Sequence, residues 1–304
     1  MAKPIPDMIL LTGVDLGVRR ASLDARVRLR RPTRRERELL ERSGVVAQVL
    51  AHGETEHLLC VMSVLHGIDA LAKERPFISL LTPLRLLKAG KVGSPGALTS
   101  TLSGQWEALE WWANPELVAP RLGDPPYSLL ATDVRRLRTL WKLFGRIDWA
   151  KCPSLAQATR RFNRSYSYRP GDQAERMTEL VAALEALFLY ETDELAYRLA
   201  LRASYFLSSR PAARANIFDL LKAAYRVRSK VVHGERPPKT VRVRGANAPL
   251  EDVANAVAHI VRASLTRYMS AVQTASENKL KRTLFDDLIL QGGQSTLPRA
   301  LKRT

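Results

Sequence analysis

The 304-residue chain has 46% hydrophobic and 26% charged side chains, which excludes disorder and fibrous repeats and suffices for one large domain or two average ones. Its 48 Lys and Arg against 30 Asp and Glu give a net charge of +18, which favours a polyanionic partner such as nucleic acid, with an anionic membrane surface as the alternative. No apolar run reaches the roughly 18 residues of a spanning helix. The two distant cysteines, Cys60 and Cys152, indicate neither a disulfide framework nor a zinc site. We expect a cytoplasmic protein that does not bind membranes.

Two segments carry most of the positive charge. Residues 135–169 hold ten Lys and Arg and one acid, a net charge of +9, and residues 210–244 hold ten against two, a net charge of +8. The residues between them, 171–209, hold seven acids and three arginines, a net charge of −4. Two local concentrations of charge favour nucleic-acid contact, although a run of charges can also be an ordinary solvated face.

The first third of the chain predicts a mixed, mostly helical region with a small β element. Residues 25–31 alternate as a strand does, and Pro32-Thr33 then opens a helix over 34–42. The apolar segment 45–71 predicts buried helix, and the glycine-rich segment 77–102 predicts a short hairpin or loop.

The rest of the chain predicts a helical bundle, so the fold class is mainly α. The segment RLGDPP at 121–126 marks a boundary between an N-terminal region of unknown role, 1–126, and a helical domain, 127–275. A C-terminal extension over 276–304 follows and ends in a loose tail from residue 291. Periodicity and end signals predict helices over 131–145, 154–163, 173–190, 193–208, 211–234 and 250–274, with one more over 280–290.

The helix predicted over 211–234 carries an arginine on its apolar face. At 100° per residue, Arg228 lies within about 60° of the apolar residues Ile217, Leu221, Ala224 and Val232. An unpaired buried guanidinium costs several kcal/mol, so Arg228 needs a carboxylate, a subunit interface or an anionic ligand. His233 follows at the glycine cap. A guanidinium can hold a phosphate with two hydrogen bonds and an imidazole titrates near neutrality, so such a pair is typical of a ribonuclease.

The sequence around this pair is similar to a known family. The string Tyr-x-x-Arg-Ser-x-Val-Val-His-Gly at 225–234, after Leu-Glu-Ala-Leu-Phe at 184–188, resembles the Apea-type branch of the HEPN superfamily, whose signature is Arg-x4-6-His. The resemblance covers 132–272. It implies a helical, usually homodimeric domain and a metal-independent endoribonuclease of toxin–antitoxin or anti-phage type. It also implies that Arg228 contacts the scissile phosphate of RNA and that His233 transfers protons, without a metal or other cofactor.

Neighbouring side chains complete the predicted site. We expect substrate contacts from Tyr225, Arg226, Ser229 and Lys230, and structural support from Glu185, Arg198 and Arg202. Position 229 is serine, where the most active branches of the family commonly have Asn, Asp or His. Tyr225 could instead pack between helices, and His233 could be a C-cap residue favoured by the helix dipole. Glu185 could pair with any of Arg228, Arg198 and Arg202, which we favour over a catalytic role.

Other sequence features give weaker support for a metal site, a phosphate-binding loop or a base-stacking site. His and acidic residues cluster over 52–66 but lack the HExxH order of a zinc site, and the glycine-rich segment 90–96 lacks the order of a phosphate-binding loop. Trp106, Trp111 and Trp112 could stack bases or pack in a core. The sequence leaves two functions: an endoribonuclease with an antitoxin or defence-system partner, or a non-catalytic HEPN module that binds nucleic acid or scaffolds a complex.

Overall fold

The computed structural model describes residues 7–42, 60–64, 78–90, 92–100, 106–110, 127–168, 171–281 and 285–290. The chain divides into two compact units, Met1–Gly145 and Arg146–Thr304. The predicted mainly α fold is confirmed. The helix over 131–145 belongs to the first unit, and the domain boundaries expected from the sequence stay a prediction.

An antiparallel sheet organises the first unit. Its strands are β1 (Asp7–Thr12), β3 (Arg20–Ser22), β4 (Val27–Arg30), β5 (Cys60–Val64), β6 (Gly93–Ser100) and β7 (Trp106–Glu110), in the order β3-β4-β5-β1-β6-β7. A separate parallel pair joins β2 (Val14–Leu16) to β8 (Tyr127–Leu129). The helices are α1 (Arg34–Arg42), α2 (Ile78–Leu87) and α3 (Ala131–Gly145). On the central strand β1, the residues from Met8 to Leu11 are all buried.

The sheet is larger than the small β element expected from the sequence. The strand predicted within 25–31 and the helix over 34–42 are confirmed. The buried helix predicted over 45–71 is wrong at Cys60–Val64, a strand paired with β1 and β4, and the rest of that segment lies outside the described residues. The segment 77–102 holds a helix and a long strand instead of a short excursion. Periodicity alone cannot distinguish a short apolar run in a strand from one in a buried helix.

A helical bundle forms the second unit, as predicted. Its long helices are α4 (Pro153–Arg164), α5 (Gln173–Phe188), α6 (Leu195–Leu207), α7 (Pro211–Val232) and α8 (Leu250–Ala271). Helix α5 is central, since it packs against each of the other four. Of the helix expected over 280–290, Phe285–Leu290 forms helix α10, residues 282–284 lie outside the described residues, and a short helix α9 (Glu277–Lys279) precedes it.

A β-hairpin joins α7 to α8, between two helices that the sequence predicted without any strand between them. Strands β9 (Thr240–Val243) and β10 (Ala246–Pro249) are antiparallel, and β9 packs against α7. The turn residues Arg244 and Gly245 have φ angles of 50° and 84°. Positive φ at both central residues is the geometry of the two-residue turns that match the twist of a hairpin. In the sequence, the alternating residues Thr-Val-Arg-Val followed by Arg-Gly are the pattern that indicates this hairpin.

Candidate functional site

Helix α7 positions the predicted catalytic pair, and its C-terminal end is closed by a glycine. Pro211 is its first residue and His233 its C-cap, and Gly234 has a φ of 76°. The N–H of Gly234 donates to Val231 O (3.0 Å), and the N–H of Glu235 donates to Lys230 O (2.8 Å). This is the Schellman arrangement, in which a left-handed glycine satisfies the last carbonyls of the helix. His233 therefore occupies a fixed backbone position while its side chain is exposed.

Arg228 forms an ion pair with Glu185 of helix α5. The distance from its Nη2 to Glu185 Oε2 is 3.2 Å, and the two side chains are 27% and 18% exposed. The guanidinium also lies over the ring of Tyr225, 5.5 Å from the ring centre. Of the three arginines that the sequence left open as partners of Glu185, Arg228 is the one in contact. It is less buried than its apolar stripe suggested, and Val232, at the end of that stripe, is itself 53% exposed.

Burial controls the electrostatics of this cluster. Desolvation raises the pKa of Glu185, and the attraction of Arg228 and the contact with Tyr225 only partly offset it. The pKa of the Tyr225 hydroxyl is raised by burial and by the neighbouring carboxylate. The Nε of Arg228 is buried without a hydrogen-bond partner. Glu185 and Tyr225 therefore hold the guanidinium in place, and its donor capacity is only partly used.

Arg198 and Arg202 belong to a different cluster. Arg202 is 4% exposed at its side chain and donates from both terminal nitrogens to Glu191, at 2.6 and 2.7 Å, while Arg198 Nη1 lies 3.1 Å from the same carboxylate. The hydrogen bonds from Arg202 lower the pKa of Glu191 to about 2. Glu191, which the sequence did not single out, thus joins α6 to the segment after α5. Both arginines thus pair with Glu191 and not with Glu185.

The four expected substrate-binding residues do not share one side of α7. Tyr225 lies beside Arg228, and half-buried Ser229 accepts the N–H of His233 through its backbone carbonyl at 3.0 Å. Arg226 and Lys230 are exposed and line a groove between α7 and the hairpin. At 100° per residue, each lies about 160° around the helix from Arg228. These four residues are close together in the sequence, but the helix places them on opposite sides.

Arg228 and His233 are also separated around the axis of α7. Five residues of helix correspond to a rotation of about 140° and a rise of about 7.5 Å. By helical position, His233 lies within about 20° of Arg226. One chain therefore presents the guanidinium and the imidazole on different sides of the same helix end.

The remaining candidates add little to this site. Among the residues that the structure describes, no group of three or more His, Cys, Asp or Glu side chains is arranged to hold a metal ion, and most of the 52–66 cluster lies outside them. Trp106 begins β7, while Trp111 and Trp112 are outside the described residues, as is the segment 121–126. Within the described parts of the chain, no helix combines the length and apolar character needed to span a bilayer.

Comparison of the chain with protein-family models, with curated proteins and with solved structures found no match. The likeness to HEPN domains thus rests on the string at 225–234 and its lead-in at 184–188.

Proposed function

We propose that this protein is an endoribonuclease of HEPN type, acting as a toxin or anti-phage effector, in which Arg228 stabilises the reacting phosphate and His233 transfers protons. The observation that carries the proposal is the Arg228 guanidinium, held at the solvent boundary by Glu185 and Tyr225, on the helix that ends at exposed His233. A fixed cation and a free imidazole at one helix end are the two groups that RNA transesterification needs.

The reaction divides between these two groups as follows. A neutral His233 accepts the proton of a 2′-hydroxyl, whose oxygen forms a bond to the adjacent phosphorus. Arg228 stabilises the negative charge on the non-bridging oxygens of that phosphate. The bond from phosphorus to the 5′-oxygen breaks, and a protonated imidazole supplies the proton for the leaving oxygen. The products are a 2′,3′-cyclic phosphate and a 5′-hydroxyl.

The separation of the pair around α7 supports a site shared by two copies of the chain. A two-fold interface at the C-terminal end of α7 would bring together two Arg228 and two His233 residues, with one imidazole as base and the other as acid. The exposed side chain of Val232, between the pair, offers apolar surface to such an interface. The homodimer is part of the proposal, and light scattering tests it: a single-chain mass would contradict the two-histidine site.

The second candidate is a non-catalytic module that binds nucleic acid. It is favoured by the ion pair of Arg228 with Glu185, since a guanidinium already matched by a carboxylate can have a purely structural role. It is also favoured by the cationic groove on the other side of α7. This candidate predicts salt-sensitive binding without cleavage.

Cleavage of labelled tRNA and mRNA in EDTA by two matched variants distinguishes the candidates. His233→Ala should lower the cleavage rate on the order of 10²- to 10⁴-fold, because it removes the proton-transfer group. His259→Ala removes another exposed histidine, from α8, and should leave the rate within about twofold, as for a surface substitution away from the site. Equal activity of both variants would contradict the assignment of His233, and no cleavage by the wild-type protein would favour the binding module.

A further inference from the structure

The groove between α7 and the β9–β10 hairpin is a cationic concavity of the second unit. It has a volume of about 390 Å³ and is lined by four basic side chains and no acid. The cations are Arg226 and Lys230 from the helix and Arg242 and Arg244 from the hairpin. The sequence suggested the two helix residues as substrate contacts, but it did not place the two hairpin residues in any site.

The groove is built as two facing rows of charge. Arg226 and Lys230 are four residues apart on α7, about 6 Å along the helix axis. On the hairpin side, Arg242 lies in β9 and Arg244 in the turn that follows it. The floor between the rows includes small and apolar residues, among them Ala223. Cations on both sides of an apolar floor suit a chain of phosphates carrying sugars and bases.

Two of the four cations are already balanced by carboxylates. Arg244 Nε lies 3.4 Å from Asp219, and Lys230 lies 3.6 Å from Glu235. Arg226 and Arg242 are exposed, and neither forms an ion pair or a side-chain hydrogen bond with the residues that the structure describes. The ion pair of Arg244 connects the hairpin tip to α7, and the guanidinium groups of Arg226 and Arg242 remain available. Guanidinium is the side chain best suited to phosphate, because it donates two parallel hydrogen bonds.

We propose that this groove binds the phosphate backbone of single-stranded RNA, with Arg226 and Arg242 as its two phosphate contacts. A groove of this volume has room for one or two nucleotides of a strand and not for a duplex. That the strand is RNA rests on the proposed function, whereas the phosphate contacts do not depend on cleavage. His233 follows Lys230 by three residues and lies about 60° from it around the helix, so a strand in the groove passes close to the imidazole.

The test is the binding of a fluorescent, unstructured RNA oligonucleotide to the full chain carrying His233→Ala, followed by anisotropy over a series of salt concentrations. Each phosphate contact to a single strand contributes about 0.7 to the slope of log K against log salt. The double variant Arg226→Gln/Arg242→Gln should therefore lower the slope by about 1.4, which corresponds to roughly 25-fold weaker binding near 0.1 M salt.

The matched control is Arg160→Gln/Arg210→Gln, which removes the same charge from exposed positions outside the groove. Charges far from the bound strand are screened beyond about 10 Å at 0.1 M salt, so this variant should lose no more than about twofold. Equal losses in the two double variants would overturn the groove assignment. So would competition by polyglutamate as strong as that by unlabelled RNA, since it would indicate an acidic protein as the partner.

The two proposals fail in different ways. If the wild-type protein does not cleave RNA, the catalytic assignment is contradicted, but Arg226→Gln/Arg242→Gln should still weaken RNA binding. An unchanged salt slope in that variant would contradict the assignment of the groove as the RNA-binding site, even if His233→Ala abolishes cleavage.

Discussion

Replacing Arg228 by Gln removes the cation that faces Glu185 and leaves a mostly buried carboxylate without its partner. At 3.2 Å and an effective dielectric constant of 20, the attraction between the two charges is about 5 kcal/mol. Because the side chains of Arg228 and Glu185 are 27% and 18% exposed, hydration of the separated charges offsets part of this attraction. We expect Arg228→Gln to lower the free energy of unfolding at pH 7 by about 1–3 kcal/mol.

The loss should depend on pH with a defined sign. The folded-state pKa of Glu185 already lies above its ordinary value of 4.5, and removal of Arg228 raises it further, because Arg228 lowers it in the wild-type protein. The folded variant then binds the proton more tightly than the unfolded chain, so protonation stabilises the fold as the pH falls through the raised pKa towards 4.5. The destabilisation should therefore be largest near neutrality and shrink in acid.

Urea unfolding followed by circular dichroism, at pH values from neutral to about 4.5, measures this difference. Glu185→Gln should stay within about 1 kcal/mol of wild type, since the neutral form is tolerated, and the double variant Glu185→Gln/Arg228→Gln should resemble it. Arg226→Gln, on the opposite side of α7, is the control and should change stability by less than about 0.5 kcal/mol. A loss in Arg228→Gln that grows on acidification would refute this account of the pair.

Two further predictions concern the framework of the bundle. The Glu277 carboxylate caps α4, because it accepts the backbone N–H groups of Ser154 and Leu155 at 3.0 and 2.8 Å. Glu277→Ala should therefore lower the free energy of unfolding by about 1–2 kcal/mol in the same urea assay. An unchanged unfolding midpoint would contradict this role. Arg202 lowers the pKa of Glu191 to about 2, so the stability that this pair contributes is present above pH 4.5 and lost as the pH falls towards 2. Arg202→Gln should lower the free energy of unfolding by about 3–5 kcal/mol and remove this loss of stability in acid. Acid unfolding curves with the same shape as those of the wild-type protein would contradict the prediction.

The helices of the bundle could be predicted because their local signals agree with their packing. Helix α7 has Pro at its first position and Gly234 just beyond its end, and both ends lie where these residues predict them. The central strand β1 could not be recognised, because its run from Met8 to Leu11 is buried on both faces and shows no alternation. Propensity and periodicity describe one element at a time, so they predict best the elements whose burial is one-sided.

The sequence named the residues of the proposed site, but it could not show which of them share a surface. Arg228 needed a partner by its position alone, yet only the packing of α5 against α7 selects Glu185. Arg226 and Lys230 looked like neighbours of Arg228 in sequence, while helical rotation turns them towards a hairpin that was not expected. Which residues share a surface depends on contacts between elements distant in the chain, and these have no local sequence signal.

The chemistry of the cleaved ends tests the central claim most directly. RNA cut by the wild-type protein in EDTA should carry a 2′,3′-cyclic phosphate on the upstream fragment and a 5′-hydroxyl on the downstream one, because in the proposed mechanism the 2′-hydroxyl is the nucleophile that His233 activates. Both ends can be identified by mass spectrometry of a short oligonucleotide substrate. A 3′-hydroxyl with a 5′-phosphate, or the same products at undiminished rate from His233→Ala, would contradict the proposed site.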